Sequence, residues 1–211
     1  MLFPHPRRRD WNDVSDYVVH LTRDSGPVAA ADSFVSILQE GTLRARTRFG
    51  IGRRYELCRP SVCLTEAPPH ELRRIAERRS VFGLGFLKGL AIHFGGGPVS
   101  YLYGDRATAA ETLMQRATAD PDDPIWTLAP LLEGPVVGNS FEWEREWRVP
   151  QDLPFSPAQV QFLTGPEEEH ADMRSFLIER AREHDFMDYS RRPLIDLNWD
   201  NDRIRRELMF P

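Results

Sequence analysis

Glu142, Glu144 and Glu146 are spaced two apart in the run Phe141-Glu142-Trp143-Glu144-Arg145-Glu146-Trp147-Arg148-Val149. Successive side chains of a strand point to opposite faces. At that period Glu142, Glu144, Glu146 and Arg148 share one face, and Trp143, Arg145, Trp147 and Val149 the other. The aromatic face can bury against a core, leaving a row of carboxylates on its reverse. Like charges in a row repel, so such a face suits a cleft holding a cation, or a positive charge that develops during reaction. The alternative is a solvated edge strand in which Arg145 and Arg148 neutralise their neighbours.

Two earlier strands carry further polar groups. His20 ends Tyr17-Val18-Val19-His20-Leu21, and Thr22 points to the same face as His20. A histidine there can orient a ligand through a fixed hydrogen bond, or serve as a satisfied structural residue. Ser61, Cys63 and Thr65 share one face of Ser61-Val62-Cys63-Leu64-Thr65, either lining a ligand or belonging to a half-buried strand. Arg44, Arg46, Arg48, Arg53 and Arg54 crowd the segment between these strands. Guanidinium forks can grip a pyrophosphate through paired hydrogen bonds. With Phe49 and Tyr55 between them they can also contact nucleic acid by charge and stacking, or form a solvated basic loop.

The elements that must position these groups read as follows. Residues 1–15 form a flexible lead-in and 16–211 a single domain. Strands are predicted over 17–21, 61–65, 81–86, 99–103, 141–149, 160–163 and 194–197. Helices are predicted over 30–39, 70–79, 107–119, 126–132 and 172–182, with Gly41 stopping the first. A short turn or helix follows near 87–92, and a helical turn closes the chain over 203–208. Gly50 and Gly52 read as hinges. The fold class is α+β: a split, mainly antiparallel sheet core flanked by helices.

A chain of 211 residues, 41% apolar and 28% charged, can bury a real core. The net charge of -5 gives no global attraction to nucleic acid. Lys88 is the one lysine, so 26 of the 27 cations are arginine. A GC-rich coding sequence accounts for that bias as readily as a need for anion-binding forks does. Two cysteines, Cys58 and Cys63, make no disulfide framework and no zinc-type cluster, which points to a reducing cytoplasm. The Pro- and Arg-rich Met1–Trp11 has no apolar centre, so no secretory signal is expected, and no stretch approaches a membrane span.

Several familiar sites are missing. Gly83-Leu84-Gly85 lacks the third glycine of a dinucleotide fingerprint, and there is no P-loop. His70-Glu71 lacks the second histidine of a zinc-protease helix. His170, Asp172, His184 and Asp185 have only generic spacing, and no metal is expected.

The order of histidine strand, Ser/Thr strand and E-x-E strand resembles the ADP-ribosyltransferase superfamily. More narrowly, YVVHLTR…FVSILQEGTL resembles the start of DarT-type toxins. The run SVCLTEAPPHEL…FGLGFLKGL…GGGPVSYLYG…FEWEREWRV resembles AbiGi-type abortive-infection proteins and a family with a terminal E-x-E-W-R signature. The likeness covers residues 17–150. It implies NAD as substrate, with Glu146 on the nicotinamide-ribose hydroxyl and Glu144 activating an acceptor. His20 would fix NAD through the adenosine ribose, supported by Thr22, Ser61 and Thr65. Cys63 departs from a strict Ser-Thr-Ser pattern. Arg44 and Arg46 are assigned to the cofactor, on its pyrophosphate. The resemblance implies transfer of ADP-ribose to a protein or nucleic acid, or hydrolysis of NAD, in a cytoplasmic bacterial toxin or phage-defence setting. It also allows a non-catalytic, antitoxin-like module that binds a nucleotide or a cognate partner.

Overall fold

The computed structural model describes residues 16–24, 26–134, 142–183 and 185–209. The expected lead-in over 1–15, Phe141 and His184 lie outside these residues. In chain order the elements begin with β1 Tyr17–Leu21, α1 Ala30–Glu40, β2 Thr42–Leu43, β3 Thr47–Arg48 and β4 Pro60–Thr65. There follow α2 Pro69–Ala76, β5 Gly83–Leu87, α3 Lys88–His93, β6 Gly97–Pro98, β7 Ser100–Tyr101 and α4 Asp105–Arg116. The chain continues through α5 Ile125–Leu128, β8 Leu132–Glu133, β9 Glu146–Val149 and β10 Leu153–Pro154. It closes with β11 Val160–Thr164, α6 His170–Arg180, β12 Leu194–Ile195 and α7 Asn201–Met209. The class is α+β, with a mixed, mainly antiparallel sheet flanked by helices. No helix among the described residues is long and apolar enough to cross a membrane.

The chain packs as two compact units. The first comprises residues 16–42, 64–90 and 154–209 among those described; the second is Leu43–Cys63 and Ala91–Leu153.

In the first unit the strand order is β12-β11-β5-β1, and β1 also pairs with the end of β4 at Val19↔Thr65. β1 is antiparallel to β5 from Tyr17↔Leu87 to Leu21↔Gly83, and β11 is parallel to β12. A central strand flanked on both edges reads as a near-continuous apolar run. Tyr17, Val18, Val19 and Leu21 are all buried. Gly85 lets β5 and β11 approach: a Cβ there would lie 2.1 Å from Cζ of Phe162, whose ring also meets Tyr17 edge-on at 5.6 Å. α1 seats Phe34 and Leu38 in the core and stops at Gly41, whose φ of 58° is a left-handed cap. Arg73 of α2 donates to the carbonyls of Leu197 and Trp199, fixing the segment that leads into α7.

In the second unit β4 neighbours β9, β3 pairs with β4 at Thr47↔Ser61, and β6 pairs with β9. β7 and β8 form a separate parallel ladder. The core gathers Cys58, Met114, Ala117, Trp126 and Ala129, with Ile51, Tyr55 and Leu132 against it. Gly50 and Gly52 are close-packing positions here rather than hinges. A Cβ on Gly50 would lie 2.4 Å from the Leu132 carbonyl oxygen, and one on Gly52 2.9 Å from the Ala129 Cβ.

Some boundaries differ from the sequence reading. The helix expected over 70–79 is Pro69–Ala76, with Pro69 in the first turn, where a missing N–H is harmless. The strand expected over 99–103 shrinks to Ser100–Tyr101, because the Val99 N–H is turned to the Glu146 carbonyl. The helix expected over 126–132 ends at Leu128, passes through a 3-10 turn at Ala129–Leu131, and straightens into β8. The largest correction is the acidic strand of 141–149. Glu142–Glu144 is a 3-10 turn, and only Glu146–Val149 is strand. Arg145 between them has φ 45°, a left-handed conformation rare outside glycine. On the β6 side, β9 pairs at Trp147 and Arg148, and the Val99 N–H donates to the Glu146 carbonyl. Glu144 and Glu146 are therefore not consecutive members of one strand face.

Candidate functional site

β9 presents Glu146 and Arg148 two residues apart on one face of a true strand. Arg148 is only 3% exposed and forks onto its neighbour: Nε donates to Glu146 Oε1 at 3.0 Å and Nη2 to Oε2 at 2.9 Å. Nη2 also donates to Glu133 Oε2 at 2.7 Å, and Nη1 to the Pro130 carbonyl at 2.9 Å. The Phe49 ring lies against the guanidinium, 5.1 Å from its centre. Burial opposes the charge on Arg148 most strongly. The bonds to Glu146, then Glu133, outweigh it and raise its pKa further, so the guanidinium stays charged.

One guanidinium faces two carboxylates, Glu133 and Glu146, whose side chains are 13% and 16% exposed. A single guanidinium thus engages two carboxylate side chains in a place sheltered from water. Tyr101 stands beside it, paired in register with Glu133 across β7 and β8. Its hydroxyl is buried and has no hydrogen-bond partner among the described residues. Burial, then the charges of Glu146, Glu144 and Glu133, push its pKa up against the pull of Arg148. The phenol thus stays protonated, with an uncommitted O–H donor next to carboxylates.

Glu133 also borders a cleft of about 670 Å³, within the range that takes a small organic ligand. Arg53 and Arg54 line one side from the 3-10 turn Ile51–Arg54, and Gly104, Thr108 and Glu111 line the other from the start of α4. Arg54 donates to the Tyr55 hydroxyl at 3.0 Å and stands 4.0 Å from Glu111. Gly50, with φ 83°, turns the chain into this wall at a spot where Leu132 and Ala129 carbonyls leave no room for a side chain.

The residues singled out from sequence fall as follows. Glu144, Glu146, Ser61, Arg44 and Arg46 belong to the second unit; His20, Thr22 and Thr65 belong to the first. Glu144 and Glu146 both act on Tyr101. Arg44 is engaged with Asp152 at 2.9 Å, and Arg46 is exposed. Neither lines the cleft; of the arginines in that segment, Arg53 and Arg54 do. Ser61 is buried, its hydroxyl turned to the Arg59 carbonyl at 3.4 Å. In the first unit His20 is half-buried on β1 opposite Leu84. Thr22 is 2% exposed and holds the end of β5's approach, its hydroxyl donating to the Phe82 carbonyl at 3.0 Å. Thr65 is buried, its hydroxyl accepting the Ala67 N–H at 3.1 Å.

Sequence reasoning missed Glu133, in a two-residue strand with no period to read, and did not single out Tyr101 within the strand expected over 99–103. No group of three or more His, Cys, Asp or Glu side chains among the described residues is arranged to hold a metal. His170 has Nε2 3.1 Å from the Gly165 carbonyl oxygen. Compared with protein-family models, curated proteins and solved structures, the chain matches none. The family resemblance therefore rests on the short motifs and their order alone.

Proposed function

We propose that the protein uses NAD as an ADP-ribosyltransferase-like enzyme, moving ADP-ribose to a macromolecule or to water in a bacterial toxin or phage-defence setting. The observation that carries this reading is strand order. β4, with Ser61 and Thr65, pairs in the first unit with β1, which bears His20, and in the second unit neighbours β9, which starts at Glu146. Within the second unit, Ser61 and Glu146, far apart in the chain, thus lie on neighbouring strands.

The chemistry asked of Glu146 fits its surroundings. Cleavage of the nicotinamide–ribose bond sends the bonding pair to nicotinamide and leaves positive charge on the ribose, as in glycosidic cleavage. A carboxylate already fixed by Arg148 needs no reorganisation to stabilise that charge. The acceptor, or water, then adds at the same carbon and loses a proton. Glu144, in the turn before β9, is the group we assign to that proton. The Tyr101 hydroxyl can donate to a ribose or amide oxygen. Arg53 and Arg54 in the second-unit cleft replace Arg44 and Arg46 as the arginines we assign to the pyrophosphate.

Nicotinamide release from NAD by the full chain tests this. Glu146→Gln is expected to reduce release about 100-fold or more. No release, and no difference between the two proteins, would overturn it. The engagement of both Glu146 oxygens by Arg148 favours a second reading, a binding module without turnover. Tight NAD binding with no nicotinamide formed, and no toxicity on expression, would select that reading.

A further inference from the structure

The first unit carries a cleft of about 540 Å³ that plays no part in the reading above. Four arginines line it: Arg174 from α6, Arg191 and Arg192 just before β12, and Arg203 from α7. Arg203 is committed. It donates to both carboxylate oxygens of Glu167 and lies 3.8 Å from the centre of the Trp199 ring, whose Nε1 donates to Glu167 at 2.6 Å. Glu167 is thereby neutralised and that wall is fixed.

The other three differ. Arg174 donates through Nη1 to the Ser190 carbonyl, and Arg192 through Nη1 to the Val160 carbonyl at 3.3 Å. Both contacts are to neutral oxygens. The Nε of Arg192 is buried with no acceptor among the described residues. No carboxylate among the described residues lies within ion-pair distance of Arg174, Arg191 or Arg192. Asp188 feels the charges of Arg191 and Arg192 from further off, but its carboxylate is turned onto the Ser190 N–H and hydroxyl. Glu207 lines the cleft as well and is exposed, its charge felt by Arg203. Burial lowers the Arg174 pKa and no anion offsets it. Three guanidinium groups in one hollow, one of them half-buried without compensation, is an arrangement that an anion from solution completes.

We propose that this cleft binds a phosphomonoester, its phosphate seated among Arg174, Arg191 and Arg192. One guanidinium fork satisfies a carboxylate; three suit a dianion with three peripheral oxygens. The cleft of about 540 Å³ leaves room beside a seated phosphate for a small organic body, which the proposal assigns to it. The site lies wholly in the first unit and stands whether or not the NAD reading holds.

Calorimetric titration of the full chain with ribose 5-phosphate, inorganic phosphate and ribose, at constant ionic strength set by chloride, tests the proposal. Ribose 5-phosphate is expected to bind, inorganic phosphate to bind more weakly and compete, and ribose not to bind. Arg191 is exposed and its side chain makes no hydrogen bond among the described residues, so Arg191→Gln keeps the fold, as circular dichroism will check. That variant should weaken ribose 5-phosphate about tenfold or more, and Arg174→Gln should do the same. The proposal is overturned by no binding of either phosphate, by equal affinity for the two, or by unchanged affinity in both variants. Binding of a dephosphorylated RNA strand in place of ribose 5-phosphate would overturn it too.

Discussion

Arg148 is the residue on which the second-unit cluster turns. It holds two carboxylates that would otherwise repel each other in a sheltered place. Arg148→Met should lower stability by about 3–5 kcal/mol, since removing one member of a buried ionic group leaves the others uncompensated. Urea unfolding measures this, and adding Glu133→Gln should recover part of the loss. Tyr101 predicts the opposite sign. Its buried hydroxyl has no partner among the described residues, so Tyr101→Phe should raise stability by about 1 kcal/mol. If the phenol contacts ligand, the same change should also weaken NAD binding. Asp152 supplies a pH dependence. The Ala45 N–H, then Arg44, hold its pKa below the ordinary carboxylate value of about 3.9. Its contribution is complete above that value and lost as pH falls through the folded one. Stability should therefore drop below about pH 4, and Asp152→Asn should flatten that limb in urea midpoints taken from pH 7 to 3. At this scale the sequence pointed to Glu146 and to Arg148 as its neutraliser. It did not point to Glu133 or Tyr101, because what brings them to Arg148 is pairing between distant segments.

Among the elements, those with several residues of clear period were legible: β1, α1, β4, β5, α4, β11 and α6 all stand within a few residues of expectation. The two-residue strands β2, β3, β8 and β10 were not, since two residues carry no period. The acidic strand failed for a different reason. Its alternation runs from Phe141 to Val149 with Arg145 breaking the apolar face, and the strand itself forms only over Glu146–Val149. Arg145 then takes the left-handed conformation that ends the pattern. A further test belongs here. Gly85→Ala would drive a methyl into the Phe162 ring and should destabilise by about 1–3 kcal/mol, with Phe162→Leu relieving part of the loss in the double variant. Equal stability of Gly85→Ala and the parent chain in urea would show that β5 and β11 can separate without penalty.

For the whole molecule, composition and element types gave the α+β class, while the division into two units stayed hidden. Each unit is assembled from separated stretches: three for the first, two for the second. Local patterning has no mark for such interleaving, because each stretch looks like ordinary domain sequence. It follows that no single truncation delivers either unit whole.

The pairing of β5 with β11 has a consequence for synthesis. Leu84 and Phe86 emerge from the ribosome well before Val160–Thr164 exists to cover that edge. Throughout the intervening translation the nascent chain carries an apolar strand with open N–H and carbonyl groups, the kind of edge that recruits chaperones or stray strands. Slow elongation through residues 91–153 should therefore depress yield more than the same delay placed after Thr164.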